Sequence, residues 1–332
     1  MNSKSFNIFF KSAKWNRIKS VAIILLFIIM VCISTKIDFD NQTNFTSVAP
    51  GLFTNYPGLK EMIPKIYFGI IGILFSKLRP SIQNLKDNEG WKASQRQLQR
   101  SGLLKDDTKI RISFAYLFRI KVDGKYLLVP NSRTGKFQPV GGAYKFKDEE
   151  RKYLDDEFAA EDDDCIPVNE TTRNDYRLNI KNKYLRDFVK RFNDTKSREN
   201  ITDLSREFKE ELIKTNILDK IIFEKIKYRY IGRHMTEIIR TSFKPYELLL
   251  ADIVELELSK EQETYLKKLV NNKVNKYIFA NSSQIKSQGM EFGTENLQDN
   301  IANHTWKILT ENTDELIKKK DKPEFFANTY FL

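Results

Sequence analysis

The chain is poor in the residues that staple or metallate a fold: it has two cysteines, Cys32 and Cys165, and two histidines, His234 and His304. The cysteines lie far apart in unlike surroundings, which excludes a disulfide framework and a CxxC metal site and makes a reducing compartment the default. Two histidines exclude a multi-histidine zinc centre. Internal repeats and a proline-rich linker are also missing, with 9 prolines among 332 residues. What is present is 41% hydrophobic and 30% charged residues, enough for a full core in one large domain plus an appendage. A net charge of +12 calls for an anionic partner, whether nucleotide, nucleic acid or anionic lipid.

Long apolar runs are few and confined to the front. Residues 20–35, "SVAIILLFIIMVCIST", carry no charge and are bracketed by Lys19 and Lys36. As a helix they cover about 24 Å of a hydrocarbon layer about 30 Å thick, with lysine ammonium groups extending the reach. A cleaved signal peptide is the competing reading, since Lys4, Lys11, Lys14, Arg17 and Lys19 form a basic lead. No small-x-small cleavage site follows, and Val31 before Cys32 is too bulky for a lipoprotein signal, so an uncleaved membrane helix is expected. A second segment, residues 62–78, has an uncharged centre from Ile66 to Ser76. Lysine and arginine are abundant before residue 20 and after residue 76, and the connector 36–61 holds only Lys36 and Lys60. That bias predicts a membrane hairpin with both ends in the cytoplasm. Gly69, Gly72 and Ser76 give the second helix a small-residue surface for close helix packing. The expected organisation is a basic cytoplasmic N-terminus (1–19), spans at 20–35 and 62–78, an extracytoplasmic connector (36–61), a linker (79–104) and an α/β domain from 105 to 332.

In that domain, "RISFAYLFRI" and "KYLLVP", joined by "KVDG", read as an antiparallel hairpin. "FEKIKYRYIGR" is a strand with Lys225, Lys227 and Arg229 on one face, and "LLLADIVELEL" is another. "KEQETYLKKLV" and "NIANHTWKILTEN" read as helices. The stretch "FQPVGGAYK" contributes Gln138 and a turn at Gly141–Gly142 that permits close backbone approach to a ligand. In "REFKEEL", Glu207, Glu210 and Glu211 project from one helical face. Two readings stay open for them: a solvated face, or hard oxygen ligands holding Mg²⁺ or Mn²⁺ against a diphosphate. The acidic run 155–164 reads as a solvated loop. The basic helix that follows, with Arg186, Lys190, Arg191 and Lys196, reads as the lining of an anion pocket or a surface for the membrane.

The glycine turn followed by Arg-Glu-hydrophobic-x-Glu-Glu resembles the Nudix signature over about residues 105–315. Gly141 and Gly142 match its loop glycines, Arg206 the signature arginine, and Glu207, Glu210 and Glu211 its metal-binding glutamates. The box is expanded, with 63 residues between Gly142 and Arg206 and a long insert at about 146–200. Ile213 replaces an expected glycine. Arg198 stands where the box glutamate is expected, with Glu199 one step out of register. A membrane hairpin fused to such a domain looks like the SMODS-associated Nudix family of CBASS antiphage systems. The resemblance implies a Nudix-like α/β/α sandwich with a mixed sheet behind a two-helix transmembrane hairpin in the bacterial inner membrane. It implies a sensor for a cyclic oligonucleotide made by a partner CD-NTase, with membrane lipids as second partner, homo-oligomerisation on activation and no role for nucleic-acid polymers. Gln138, Gly141, Gly142, Arg206, Lys225, Lys227 and Arg229 are then the candidate ligand contacts. The alternative is a membrane-tethered, Mg²⁺- or Mn²⁺-dependent Nudix hydrolase of nucleoside diphosphate derivatives, with Glu207, Glu210 and Glu211 as metal ligands.

Overall fold

The computed structural model describes residues 3–34, 59–86, 90–239, 246–272, 275–290, 299–310 and 323–329. The chain divides into two compact units, residues 1–97 and 98–332. The first holds α1 (Ser3–Ser34) and α2 (Leu59–Lys86). They run antiparallel, with the rings of Phe27 and Phe75 6.1 Å apart and the Tyr67 hydroxyl donating to the Met30 carbonyl. Their outward apolar side chains are exposed, including Leu25, Leu26, Ile28 and Ile29 on α1 and Ile66, Phe68, Ile73 and Phe75 on α2. Among the described residues no helix is long and apolar enough to cross a membrane. The transmembrane hairpin expected at 20–35 and 62–78 is therefore present as paired helices and not detected as membrane spans. Nearly all of the connector 36–61 lies outside the described residues. The expected linker, 79–104, is mostly helical, because α2 runs on to Lys86 and α3 occupies Gly90–Arg100. Nor does the small-residue surface hold α1 against α2: a Cβ at Gly69 or Gly72 would meet nothing within 4 Å.

In the second unit, β1 (Lys109–Arg119) sets the architecture. Ile110, Ile112, Phe114, Tyr116 and Phe118 alternate onto one face and are fully buried, as period two requires. The opposite face is different: Ser113 and Ala115 stay partly exposed, and only Leu117 and Arg119 are buried. The chain continues through β2 (Lys121–Val122) and β3 (Lys125–Pro130), turning at Asp123 (φ 47°) and Gly124 (φ 75°), the left-handed pair of a two-residue hairpin. The expected hairpin is thus confined to β2 and β3. The body of β1 pairs in parallel with β9 (Glu247–Glu257), a partner more than a hundred residues away.

β4 (Phe137–Gln138) leads into β5 (Gly141–Ala143), which returns to pair with β1. The insert forms α4 (Asp148–Phe158), β6 (Glu161–Asp162), β7 (Arg177–Lys181) and α5 (Leu185–Asp194). After α6 (Ser205–Phe208) comes β8 (Lys225–Met235), antiparallel to β9. The helix α7 (Lys260–Val270) begins where its capping box predicts, Ser259 and Gln262 each taking the other's backbone N–H. Then follow β10 (Ile278–Ala280), α8 (Ser282–Lys286) and β11 (Glu324–Asn328). The late helix expected around His304 is a 3₁₀ turn, Asn303–Ile308.

The main sheet runs β11-β8-β9-β1-β7-β6, with β5 also on β1, and is mixed as expected. A smaller sheet, β10-β3-β2 with β4, stands beside it. One face of the main sheet is packed by aromatics: Phe114 on Phe192 at 4.7 Å, Phe118 on Phe208 at 5.5 Å, Tyr176 on Phe192 at 4.9 Å. On the other face Leu117, Ala251 and Ile253 pack with Tyr126, Leu128, Ile301 and Ile308. The acidic stretch expected as a solvated loop is otherwise: 148–158 is helix, and Asp163 is 5% exposed in a bidentate pair with Arg111. Of the insert's basic residues Arg191 is tied inward, gripping the fully buried Glu150 through Nε (2.9 Å) and Nη2 (2.6 Å), while Arg186, Lys190 and Lys196 are exposed.

Candidate functional site

Gly141 lies at φ +146°, and a Cβ there would sit 2.1 Å from the Tyr116 carbonyl oxygen, so only glycine permits β5 to approach β1 so closely. At Gly142 a Cβ would fall 1.9 Å from Oε1 of Glu207, which shows how near the signature carboxylate lies to the turn. The signature segment is fixed by Phe208, which packs on Phe118 and Phe223. It starts as the short α6 and widens into a π-helical turn over Lys209–Ile213, where Lys214 N donates to Lys209 O at 2.8 Å. Glu207 and Glu211, four residues apart and so on one helical face, both meet the glycine turn. Glu211 accepts the Gly141 N–H at 2.9 Å, while the Glu210 side chain stays 39% exposed.

Arg206 is the centre of this cluster. Its Nε and Nη2 bond Glu199 at 3.2 and 3.1 Å, its Nη1 bonds Glu207 at 2.5 Å and lies 3.7 Å from Glu210, and Nη2 reaches the Ala143 carbonyl at 2.9 Å. Glu199 also takes the Tyr116 hydroxyl at 3.0 Å. Burial pulls the guanidinium down, but Tyr116, Glu207 and Glu199 outweigh it and hold Arg206 above the usual range. Burial raises Glu199 despite Arg206. Burial, reinforced by the charge of Glu207, raises Glu211 to about 8.

The structure therefore brings together Gly141, Gly142, Arg206, Glu207, Glu210 and Glu211, and adds Glu199, which the sequence pattern placed one step out of register. It does not place the β8 cations with them. Strands β9 and β1 lie between β8 and β5. Lys227 pairs with Glu257 and Glu324, both at 2.8 Å, and Arg229 with Glu255 at 3.1 Å and Glu257 at 3.3 Å. Lys225 opens β8 as an exposed residue, and Gln138 accepts from Asn131 at 2.8 Å. A second buried cluster had only a faint sequence signal, an aspartate within the apolar run of β9. Asp252, 1% exposed, accepts from Arg233 Nε (2.7 Å) and Nη2 (2.9 Å), from Tyr144 (2.8 Å) and from Tyr230 (3.2 Å). Burial pushes this carboxyl upward, but Arg233 outweighs it and holds Asp252 below the usual range.

The glutamates are hard oxygen donors of the kind that take Mg²⁺ or Mn²⁺. As placed, however, Arg206 occupies the space among Glu199, Glu207 and Glu210, and Glu211 is turned to a backbone N–H. Among the described residues no group of three or more such side chains is arranged to hold a metal ion. The residues do not form a metal cage in this arrangement.

The shift at Glu211 has a sign that can be tested. A carboxyl whose folded value, about 8, stands above its ordinary 4.5 binds more protons folded than unfolded in that window. Its contribution is fully present below pH 4.5 and is lost as pH rises towards 8. Thermal unfolding between pH 5 and 9 is expected to show this decline, and Glu211→Gln is expected to flatten it. A slope unchanged in that variant would contradict the assignment.

A search of curated proteins found no match. The family model described as "SMODS-associated NUDIX domain" matches residues 109–309, a span that contains the glycine turn, the insert, the Arg206 cluster and both central strands. The chain belongs to the SMODS-associated Nudix domain family.

Proposed function

We propose that the chain is a membrane effector of a CBASS-type antiphage system, in which the Nudix domain senses a cyclic oligonucleotide from a partner CD-NTase and the N-terminal helices act on the inner membrane. The observation that carries this reading is one chain joining a SMODS-associated Nudix domain to a helix pair with its apolar side chains outward. Contiguous apolar surface of that kind is costly in water and is relieved by lipid or by other copies of the chain. The lysine and arginine bias sets the topology, with both termini and the Nudix domain cytoplasmic. The Arg206 cluster supports sensing over hydrolysis, because its carboxylates are already engaged by a guanidinium and a backbone N–H.

Vesicles carrying the full-length protein are expected to leak dye when a cyclic di- or trinucleotide is added, and a chain lacking residues 1–80 is expected to bind the nucleotide without causing leakage. Absence of leakage with every such nucleotide would sink the effector reading. Single cysteines near residues 45 and 200 report topology: labelling of the 200 region in intact cells by an impermeant reagent would rule out the hairpin. The hydrolase reading rests on the retention of Glu207, Glu210 and Glu211 beside the glycine turn. Little or no turnover of nucleoside diphosphate derivatives is expected with Mg²⁺ or Mn²⁺. Robust turnover lost in Glu210→Gln would favour the hydrolase instead.

A further inference from the structure

The two edges of the main sheet are built differently. At one end β6 is a two-residue strand, Glu161 and Asp162, both exposed and each tied to a cation, Lys109 and Arg151. Shortness and charge are what keep an edge from pairing with another chain. At the other end β11 offers five residues, Glu324–Asn328, with a single charge. Among the described residues no strand lies on its far side. Phe326 stands out from it with 71% of its surface exposed, the Lys227 ammonium 5.7 Å from its ring.

The strand register fixes which backbone groups this edge presents. Tyr230 N donates to the Pro323 carbonyl and Thr329 N to the Glu224 carbonyl, continuing at both ends the register of the β8–β11 pairing. In an antiparallel pair, hydrogen-bonded positions alternate with unbonded ones. Pro323, Phe325, Ala327 and Thr329 therefore direct their backbone groups at β8, and the N–H and C=O groups of Glu324, Phe326 and Asn328 point away from it. The side chains of these outward-bonding residues share the face that carries Lys225, Lys227 and Arg229. A row of unpaired strand groups is a template for a further strand.

We propose that β11 pairs antiparallel with β11 of a second copy of the chain, about a two-fold axis at Phe326, so that the two main sheets join edge to edge. In that register the outward groups match: Phe326 faces its own copy and Glu324 faces Asn328 of the second copy, each pair exchanging both hydrogen bonds. The charges match as well. Glu324 comes to lie between Arg229, its neighbour on β8, and the second copy's Asn328, beyond which stands the second copy's exposed Lys225. The ion pairs that run from Glu255 and Glu257 through Arg229 and Lys227 to Glu324 thus continue into the next copy with no like charges opposed. Sliding the strands until Glu324 faced its own copy would oppose two carboxylates and leave Asn328 beyond the end of the partner strand. The two Phe326 rings meet across the axis and leave water together. Such an edge is small beside the roughly 1,200–2,000 Å² of a stable complex, so a concentration-dependent equilibrium is expected. The inference goes beyond the sensor reading and does not depend on what the Nudix domain binds.

Cysteine cross-linking of the full-length protein in detergent micelles tests the pairing and its register. In a chain carrying Cys32→Ser and Cys165→Ser, Phe326→Cys is expected to give a disulfide-linked dimer under mild oxidation, because opposed Cα atoms in such a pair lie about 5.5 Å apart, within disulfide reach. Glu324→Cys and Asn328→Cys are expected to cross-link when the two variants are mixed and not when either is alone, since each lies roughly 14 Å from its own copy. A chain whose single cysteine is Cys165, exposed on the insert, sets the rate of chance encounter. In sedimentation of the otherwise native chain, Phe326→Lys is expected to raise the dimer dissociation constant at least tenfold by opposing two ammonium groups, while the bonds to β8 stay in place. Should that variant unfold, the cysteine pattern decides alone. Cross-linking of Phe326→Cys no faster than that of Cys165 would overturn the proposal, and an edge covered by the chain's own residues or by another protein's strand gives that result. Equal cross-linking of all three variants alone, or dimerisation unchanged by Phe326→Lys, would overturn it too.

Discussion

Gly141→Ala is expected to destabilise the Nudix domain by about 3 kcal/mol or more, among the largest effects available to a single methyl group. Two costs combine. The added Cβ would sit 2.1 Å from the Tyr116 carbonyl oxygen and 3.0 Å from the Leu117 Cα, both backbone atoms of the central strand that cannot step aside. The position also lies at φ +146°, where an L side chain is strained whatever the space. Moving β5 to relieve the clash would break the Gly141 N–H bond to Glu211 and shift the Ala143 carbonyl from Arg206, so the signature cluster would loosen with the fold. Gly142→Ala is the comparison. Its Cβ meets first the Glu207 side chain, which is not backbone and can shift at the cost of its pair with Arg206, so a smaller loss of about 1–2 kcal/mol is expected. Calorimetric unfolding of the two variants side by side decides the matter. Equal losses would mean that the backbone contact at Gly141 is not what holds the turn.

Arg206→Ala is expected to cost about 3–5 kcal/mol, because it strands carboxylates that the fold has already taken out of water. Glu199 and Glu207 have side chains only 11% and 14% exposed, and Arg206 is their shared counter-charge. Glu199 already stands above the ordinary 4.5 through burial, and without the guanidinium it must rise further. A carboxyl raised in the folded state contributes stability that is present below 4.5 and lost as pH climbs through its folded value. The deficit of Arg206→Ala should therefore be small near pH 4.5 and widen towards neutrality, which denaturant titration at several pH values can read. Arg206→Lys is expected to fall between the two, keeping the charge but losing the fork that reaches Glu199, Glu207 and Ala143 together. In a double-mutant cycle, adding Glu207→Gln to Arg206→Ala should cost less than the sum of the single changes. Additive losses, or a deficit independent of pH, would show that the cluster is not electrostatically coupled.

Much of the architecture was legible in local patterns. Period two along Ile110, Ile112, Phe114, Tyr116 and Phe118 marks a strand with one buried face, and the capping box at Ser259 and Gln262 marks the start of α7 to the residue. The glycine turn and the Arg-Glu-x-x-Glu-Glu spacing pointed to residues that the structure does gather around Arg206, because spacing along one short segment is preserved when it folds. Partners distant along the chain were not legible. The sequence offered Lys227 and Arg229 as a free basic face, and the fold sets Glu255, Glu257 and Glu324 against them from strands separated in sequence. It put Glu199 out of register, yet the path from the insert into α6 turns that carboxylate onto Arg206 and Tyr116. The Asp123–Gly124 turn was predicted, but not that β1 would pair with β9 in preference to the hairpin. Periodicity and turn chemistry are properties of neighbours along the chain, and they marked many of the elements and the glycine turn, while the family came from the resemblance of that turn and the Arg206–Glu211 segment to the Nudix signature. Ion pairs and burial of charge depend on which elements share a sheet, and long-range strand pairing, which no local pattern encodes, decided those.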